Sequence, residues 1–377
     1  MLNMNKPIKV MTIFGTRPEA IKMAPIILRM KREPKLFKPI TVVTGQHHEM
    51  LQQVLHVFHI HPDCNLNIMR KNQTLSEITT TVINKLDSIL DHHRPDIILV
   101  HGDTTSTLSA AISAFYHKIP LGHVEAGLRT WNKYSPYPEE MNRQLTDTLA
   151  DLYFAPTPLS RHNLLLEHHD DKHIYVTGNT AIDALKQTVD PNYHHAVLDK
   201  IDDQHRIILL TMHRRENQGT PMLRTFKTIK EELAKHPDTE VIYPVHLSPA
   251  VQKAAHQEFD SVKRVHLIPP LDVVDFHNIC AKSYFIMTDS GGVQEEAPSL
   301  GKPVLVLRNR TERPEGVKAG TLKLVGTDPK RIRAGMEMLL DNPKAYHKMS
   351  IAKNPYGDGK ASERILKAIY QEINGDK

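Results

Sequence analysis

The stretch Thr288-Asp289-Ser290-Gly291-Gly292-Val293-Gln294-Glu295-Glu296-Ala297 follows the apolar run Tyr284-Phe285-Ile286-Met287 and precedes Pro298-Ser299-Leu300-Gly301. A short β-rich run, a Ser-Gly-Gly turn and a helix-compatible segment aim free backbone N–H groups and the positive end of a helix at an anion. The two glycines let backbone approach phosphate oxygens with no Cβ in the way, and Ser290 adds a hydroxyl donor. Glu296 follows about one helical turn further in, and in dinucleotide folds an acidic residue accepts the ribose hydroxyls. Phosphate and ribose together mean a nucleotide. A lone Gly-Gly is usually a plain strand-to-helix connection; the Glu295-Glu296 pair and a second half-site upstream favour the nucleotide.

Around this stretch the chain alternates strand and helix. From Arg206, strand-like runs cover Ile207 to Thr211, Val241 to Val245, Val265 to Ile268, 284–287 and Pro303 to Leu307, with helical stretches between. The first run ends in Met212-His213-Arg214-Arg215-Glu216-Asn217 and the second in His246. The earlier half shows the same rhythm. Ile8 to Phe14 ends in Gly15-Thr16-Arg17-Pro18-Glu19, and Ala20, Ile21, Met23, Ala24 and Ile27 continue with a helical apolar period. Thr16 and Glu19 have capping-box spacing, and Pro18 is tolerated in a first turn. Further strands are expected at Ile40 to Thr44, before Gly45-Gln46, and at Pro95 to Val100, before His101-Gly102-Asp103-Thr104. Another is expected at Pro120 to Val124, before Glu125-Ala126-Gly127-Leu128-Arg129.

Such alternation implies parallel sheets with right-handed crossovers, whose ligands bind beyond the carboxyl ends of the strands. Arg17, Asp103 and Glu125 all fall just past such ends and are expected to share one crevice. Arg17 at the positive end of a helix, with Lys22 soon after, has the wrong sign unless an anion is held there. Tyr134-Ser135-Pro136-Tyr137-Pro138-Glu139-Glu140-Met141-Asn142-Arg143 reads as a proline-rich loop entering a helix and able to close over a site. The expected fold is α/β with two Rossmann-like domains. Residues 1–178 form the first, completed by a C-terminal helix within 357–377, and residues 181–354 form the second, nucleotide-binding one.

The 377 residues suffice for about two to three domains of ~150 residues. The net charge of +5 comes from 48 basic and 43 acidic residues interspersed along the chain, with no basic block of nucleic-acid type. With only Cys64 and Cys280, neither a disulfide framework nor a Cys-rich metal site is expected. His47-His48, His92-His93 and His168-His169 match no metal-ligand spacing and read as solvated surface, so no metal is expected. No apolar run approaches ~18 residues, and residues 1–10 lack the apolar core of a signal peptide; a cytoplasmic protein that does not enter a membrane is the expectation. Neither a G-x-G-x-x-G after the first strand nor a Walker-type loop is present, so no dinucleotide cofactor is expected. A nucleotide site split over two α/β halves without those fingerprints points to nucleotide-sugar chemistry.

Six ordered motifs, Phe14 to Ala20, His101 to Thr104, His123 to Arg129, Pro138 to Arg143, His213 to Asn217 and the 288–297 stretch, closely resemble the non-hydrolysing UDP-N-acetylglucosamine 2-epimerases along nearly the whole chain. The resemblance implies a glycosyltransferase-B-like fold with its active site in the interdomain cleft and a homodimer. It also implies reversible conversion of UDP-GlcNAc to UDP-ManNAc for bacterial surface polysaccharide or teichoic acid. By motif position it makes Arg17, Lys22, Asp103, Glu125, Glu139, Arg143 and His213 active-site residues. It places Ser290, Gly291, Gly292, Glu296, Arg313 and Phe276 on the UDP part; where family members carry glutamine, this chain has Leu271. It further implies a second, allosteric UDP-GlcNAc site at Gln46, Gln73, Glu139, Arg214 and His246.

The C2 proton of GlcNAc is not beside a carbonyl, so removing it needs an electron sink. In the family, expulsion of UDP from C1 supplies one, through 2-acetamidoglucal. Carboxylates as acid and base and cations on the departing diphosphate suit that chemistry. A hydrolysing epimerase releasing ManNAc and UDP, a glycosyltransferase of the same fold and a nucleotide-sugar sensor remain alternatives, separable by their products.

Overall fold

The structure is a computed structural model and describes residues 6–45, 48–70 and 73–375. Its thirteen strands are β1 (Ile8–Phe14), β2 (Phe37–Val43), β3 (Cys64–Asn65), β4 (Ile97–His101), β5 (Leu121–Val124), β6 (Leu152–Ala155), β7 (Ile174–Val176), β8 (Arg206–Thr211), β9 (Thr239–Pro244), β10 (Val265–Ile268), β11 (Phe285–Thr288), β12 (Val304–Val306) and β13 (Leu322–Leu324). They form two all-parallel sheets, of order β3-β2-β1-β4-β5-β6-β7 and β10-β9-β8-β11-β12-β13. This is the two-domain, Rossmann-like, glycosyltransferase-B-like class expected from the sequence. The chain divides into one compact unit of Met1–Ala184 with Tyr356–Lys377 and a second of Leu185–Pro355.

In both sheets the strand order reverses once, between β1 and β4 in the first unit and between β8 and β11 in the second. At such a switch point the loops leaving adjacent strands diverge and leave a crevice for ligand. The strands are near-continuous apolar runs because both faces are covered. In the second unit the alternation is visible residue by residue. Ile208, Leu210, Phe285, Met287 and Leu305 enter one core, while Leu209, Ile286, Val304 and Val306 enter the core on the other face. Phe226, from the helix Thr220–Lys235, anchors the first of these against Tyr243 and Phe259 at centroid distances of 5.5 and 4.9 Å. Full burial of one such side chain is worth ~1.5–3 kcal/mol.

The strands expected over 8–14 and 265–268 span those residues. β3, β6, β7 and β13, two to four residues long, were not expected; β3, β7 and β13 are the edge strands of their sheets, and each is defined by pairing with its one neighbour.

The C-terminal helix Ala361–Gly375 belongs to the first unit through specific bonds. Asp183 accepts from the N–H groups of Ala361 (3.1 Å) and Ser362 (2.8 Å) and from the Ser362 hydroxyl (2.6 Å), a carboxylate at a helix N-terminus. Just before it the chain recrosses itself: a Cβ on Gly178 would stand 3.2 Å from the Gly357 Cα, and Asn179 N–H donates to the Tyr356 carbonyl at 2.7 Å. Among the described residues no helix is long and apolar enough to cross a membrane.

Candidate active site

The first unit gathers its charged residues at the ends of β1, β4 and β5. Thr16 caps the helix Arg17–Arg32 with the expected capping box, so Arg17 is its first residue and Lys22 stands about one turn on. Glu19 does more than complete the box. Its Oε2 accepts from the N–H groups of Gly15 (3.0 Å) and Thr16 (2.7 Å), and its Oε1 accepts from the hydroxyls of Thr104 (2.8 Å) and Thr107 (2.9 Å). One buried carboxylate thus ties the turn after β1 to the turn after β4, across the switch point.

Asp103 follows β4. Its carboxylate accepts from Arg143 Nη2 at 2.6 Å, and its backbone carbonyl accepts from Asn142 Nδ2 at 2.9 Å, both from the helix Glu139–Leu149. Burial raises its pKa above the usual aspartate value; Arg143 opposes that, while the nearby carboxylates of Glu125 and Glu139 add to it. Glu125 follows β5 in a left-handed backbone conformation, φ +69°, which costs a non-glycine residue about 1–3 kcal/mol. The strained turn is fixed by two successive amides, of Glu125 (3.1 Å) and Ala126 (3.3 Å), donating to the Phe154 carbonyl. Glu125 Oε1 takes an ion pair from Lys22 and a hydrogen bond from Asn179 Nδ2 at 3.0 Å. The arrangement brings Lys22, Asp103, Glu125, Glu139 and Arg143 together.

Four buried side-chain atoms at this place have no hydrogen-bond partner among the described residues: both ring nitrogens of His101, Glu139 Oε2 and Arg143 Nε. Buried orphan atoms are rare in folded proteins and call for an explanation such as a ligand, an ion or water. Burial drives the His101 pKa down to about 3; Glu125 pulls the other way, and Lys22 and His123 push it further down. His123 is fully satisfied. Its Nδ1 faces Asp147 Oδ1 at 2.6 Å and its Nε2 faces the Gly102 carbonyl at 2.7 Å. Asp147 also holds Gly127 N–H (3.2 Å) and Arg129 (2.6 Å), and Glu140 holds the Thr130 (3.0 Å) and Trp131 (3.0 Å) amides. Glu140 thus fixes the loop before its own helix.

The second unit repeats the plan. Ser290 stands at the N-cap position of the helix Gly291–Glu296, which starts on the expected glycine pair after β11. A Cβ on Gly291 would stand 2.9 Å from the Arg313 guanidinium carbon, so glycine is what admits that cation against the turn. Arg313 is oriented by Glu295 at 2.9 Å and Glu312 at 3.3 Å. The Glu296 carboxylate reaches back toward Gly292, 3.8 Å from where its Cβ would be, and lies 3.5 Å from His277 Nε2. Phe276 is half-buried in the helix Val273–Lys282, and Leu271 lines a recess beyond β10 with Pro269, Pro270, Asp275 and Lys200.

Asp289, fully buried, crosses the second switch point as Glu19 crosses the first. It accepts from the amides of His213 (3.0 Å) and Arg214 (2.9 Å) and from Asn217 Nδ2 (2.9 Å), fixing the loop after β8. Burial lowers the His213 pKa, Asp289 opposes this, and His246 and Arg214 reinforce it. The His213 and His246 rings stack at 5.5 Å and 15°. Gln73 Oε1 accepts from Arg70 N–H at 2.9 Å, and Gln46 lies outside the described residues. No group of three or more His, Cys, Asp or Glu among the described residues is arranged to hold a metal ion.

Glu19, His101, His123, His277 and the tethering role of Asp289 were missed by sequence reasoning. The available signal was a polar residue ending or interrupting an apolar strand, as in Ile97-Ile98-Leu99-Val100-His101 and Leu121-Gly122-His123-Val124.

Comparison with known proteins agrees with this geometry. The family profile described as UDP-N-acetylglucosamine 2-epimerase matches residues 29–370. A UDP-N-acetylglucosamine 2-epimerase of Bacillus subtilis is 59% identical over 364 residues, covering 97% of this chain and 95% of the relative. A crystal structure of a UDP-N-acetylglucosamine 2-epimerase superposes with a TM-score of 0.91 at 56% identity, covering 99% of this chain and 98% of the other. The Neisseria meningitidis UDP-GlcNAc 2-epimerase, solved bound to UDP-GlcNAc, gives 0.87 at 47% identity, covering 97% and 100%. With the motifs at the strand ends and a match over nearly its full length, the chain belongs to the UDP-N-acetylglucosamine 2-epimerase family.

Proposed function

We propose that this chain interconverts UDP-GlcNAc and UDP-ManNAc without hydrolysis, supplying an N-acetylmannosamine donor for bacterial surface polysaccharide or teichoic acid. The observation that carries the reading is the first unit's cluster of Asp103, Glu125 and Glu139 with Lys22 and Arg143, in which buried polar atoms of Glu139, Arg143 and His101 have no hydrogen-bond partner among the described residues. The UDP-GlcNAc bound in the Neisseria relative supports the same ligand here.

In the proposed reaction a carboxylate removes the C2 proton, the C1–oxygen bond to UDP breaks, and the electron pair becomes the C1–C2 double bond of 2-acetamidoglucal. A proton then returns to C2 on the opposite face as a diphosphate oxygen rebonds to C1. Asp103, Glu125 and Glu139 are the acid and base set, and the raised proton affinity of Asp103 suits it to donate. Arg17, Lys22 and His213 balance the charge growing on the departing diphosphate. Ser290, Gly291, Gly292 and Arg313 hold phosphate, Glu296 takes the ribose, and Phe276 adds contact. The stacking of His246 on His213 supports a further reading, that UDP-GlcNAc at Arg214 and His246 acts as an effector.

Incubating the protein with UDP-GlcNAc and resolving the products tests the reading. UDP-ManNAc with the UDP-sugar pool conserved is expected; stoichiometric release of free UDP and ManNAc would instead identify a hydrolysing enzyme.

A further inference from the structure

His101 closes β4 immediately before the Gly102-Asp103 turn, and 3% of it is exposed. Its Nε2 stands 3.7 Å from Glu125 Oε2, and neither ring nitrogen has a hydrogen-bond partner among the described residues. A neutral imidazole carries one N–H and one lone pair, and burying both unpaired costs free energy that an apolar side chain would avoid. The charged and titratable groups facing the ring are Glu125, Lys22 and His123. Burial outweighs the attraction of Glu125 and keeps the ring neutral, with Lys22 and His123 acting in the same sense.

Glu125 is gripped at Oε1 by Lys22 and Asn179, while Oε2 is the oxygen turned toward His101 and the Gly102 backbone. The gap exceeds a hydrogen bond, and closing it by about 0.7 Å brings Nε2 to the usual ~3.0 Å. We propose that His101 is a positioning residue for Glu125, an inference that rests on the epimerase reading above: when substrate loads the site, Nε2–H donates to Oε2 and fixes the plane of the carboxylate. A neutral donor suits this task. It orients Glu125 and favours its charged form without cancelling the charge that removes or returns a proton.

The test compares the wild type with His101→Phe, which keeps the ring volume and loses the donor, and His101→Gln, whose amide restores an N–H. For His101→Phe we expect kcat for UDP-GlcNAc epimerisation to fall by about tenfold or more with KM little changed. The acidic limb of its kcat profile should move up by about one pH unit. His101→Gln should recover most of both effects. A folded His101→Phe with unchanged kcat and pH limb, or a His101→Gln as impaired as the phenylalanine variant, overturns the proposal. Should His101→Phe fail to fold, ¹⁵N-histidine NMR of the wild type decides: a neutral Nε2–H tautomer whose proton moves downfield on adding UDP-GlcNAc supports the assignment, and an Nδ1–H tautomer or an imidazolium contradicts it. A wild type that makes no UDP-ManNAc contradicts the epimerase reading, whereas an active wild type with an indifferent His101→Phe removes His101 alone.

Discussion

In the proposed reaction Asp103 exchanges a proton and Glu296 holds the ribose, and each gives a separate prediction. Glu296 leans back over the Gly292 turn beside His277; replacing it with alanine should weaken UDP binding by about 1.5–3 kcal/mol, the scale of hydrogen bonds to a charged group, with the fold intact. Unchanged UDP affinity in calorimetry would move the ribose elsewhere. The Asp103 pKa is raised in the folded protein, chiefly by burial. The folded chain therefore holds a proton that the unfolded chain has released, and the associated stability is present below the ordinary value of ~3.9 and lost as pH rises through the folded pKa. Asp103→Asn removes that loss, so its melting temperature relative to wild type should be more favourable at about pH 7.5 than at about pH 4.5. Its turnover should fall by ~10²–10⁴-fold. A stability difference that grows toward acid pH would contradict the assignment. Both residues were legible in the sequence because each follows a buried strand run at fixed distance. His277, which faces the Glu296 carboxylate, was not, because its place depends on how its helix packs.

At the scale of elements, the same device recurs at each switch point. Glu19 joins the turns after β1 and β4, and Asp289 joins those after β11 and β8. Sequence reading found the turns, since continuous apolar runs ending in Gly, Thr or Ser mark them. It read Glu19 only as half of a capping box and Asp289 only as part of the cradle, because a bond to a loop some 70 to 90 positions away leaves no local pattern. Gly127 is similar: a Cβ there would stand 2.2 Å from the Ser160 carbonyl oxygen, a contact invisible before the sheet is assembled. Glu19→Ala would strand two amides and two hydroxyls in a buried place. It should lower unfolding free energy by about 3 kcal/mol or more in urea titration and cut turnover although Glu19 touches no substrate. A loss under about 1 kcal/mol would show that the two turns hold their places without it.

Over the whole molecule, two parallel sheets of like strand order each bring candidate site residues to the ends of the two strands flanking the reversal: Arg17 and Asp103 in one unit, His213 and Ser290 in the other. That repetition made the fold and most of the candidate site readable, since a parallel sheet gathers every post-strand segment at one edge. In the proposed reaction the first unit's carboxylates exchange the C2 proton of a UDP-sugar while C1 is parted from UDP. Proton NMR of UDP-GlcNAc incubated with the protein in D₂O, with neither nucleotide cofactor nor metal added, reads this directly. Deuterium should appear at C2 of both UDP-GlcNAc and UDP-ManNAc; UDP-ManNAc formed with its C2 hydrogen fully retained would rule the elimination out.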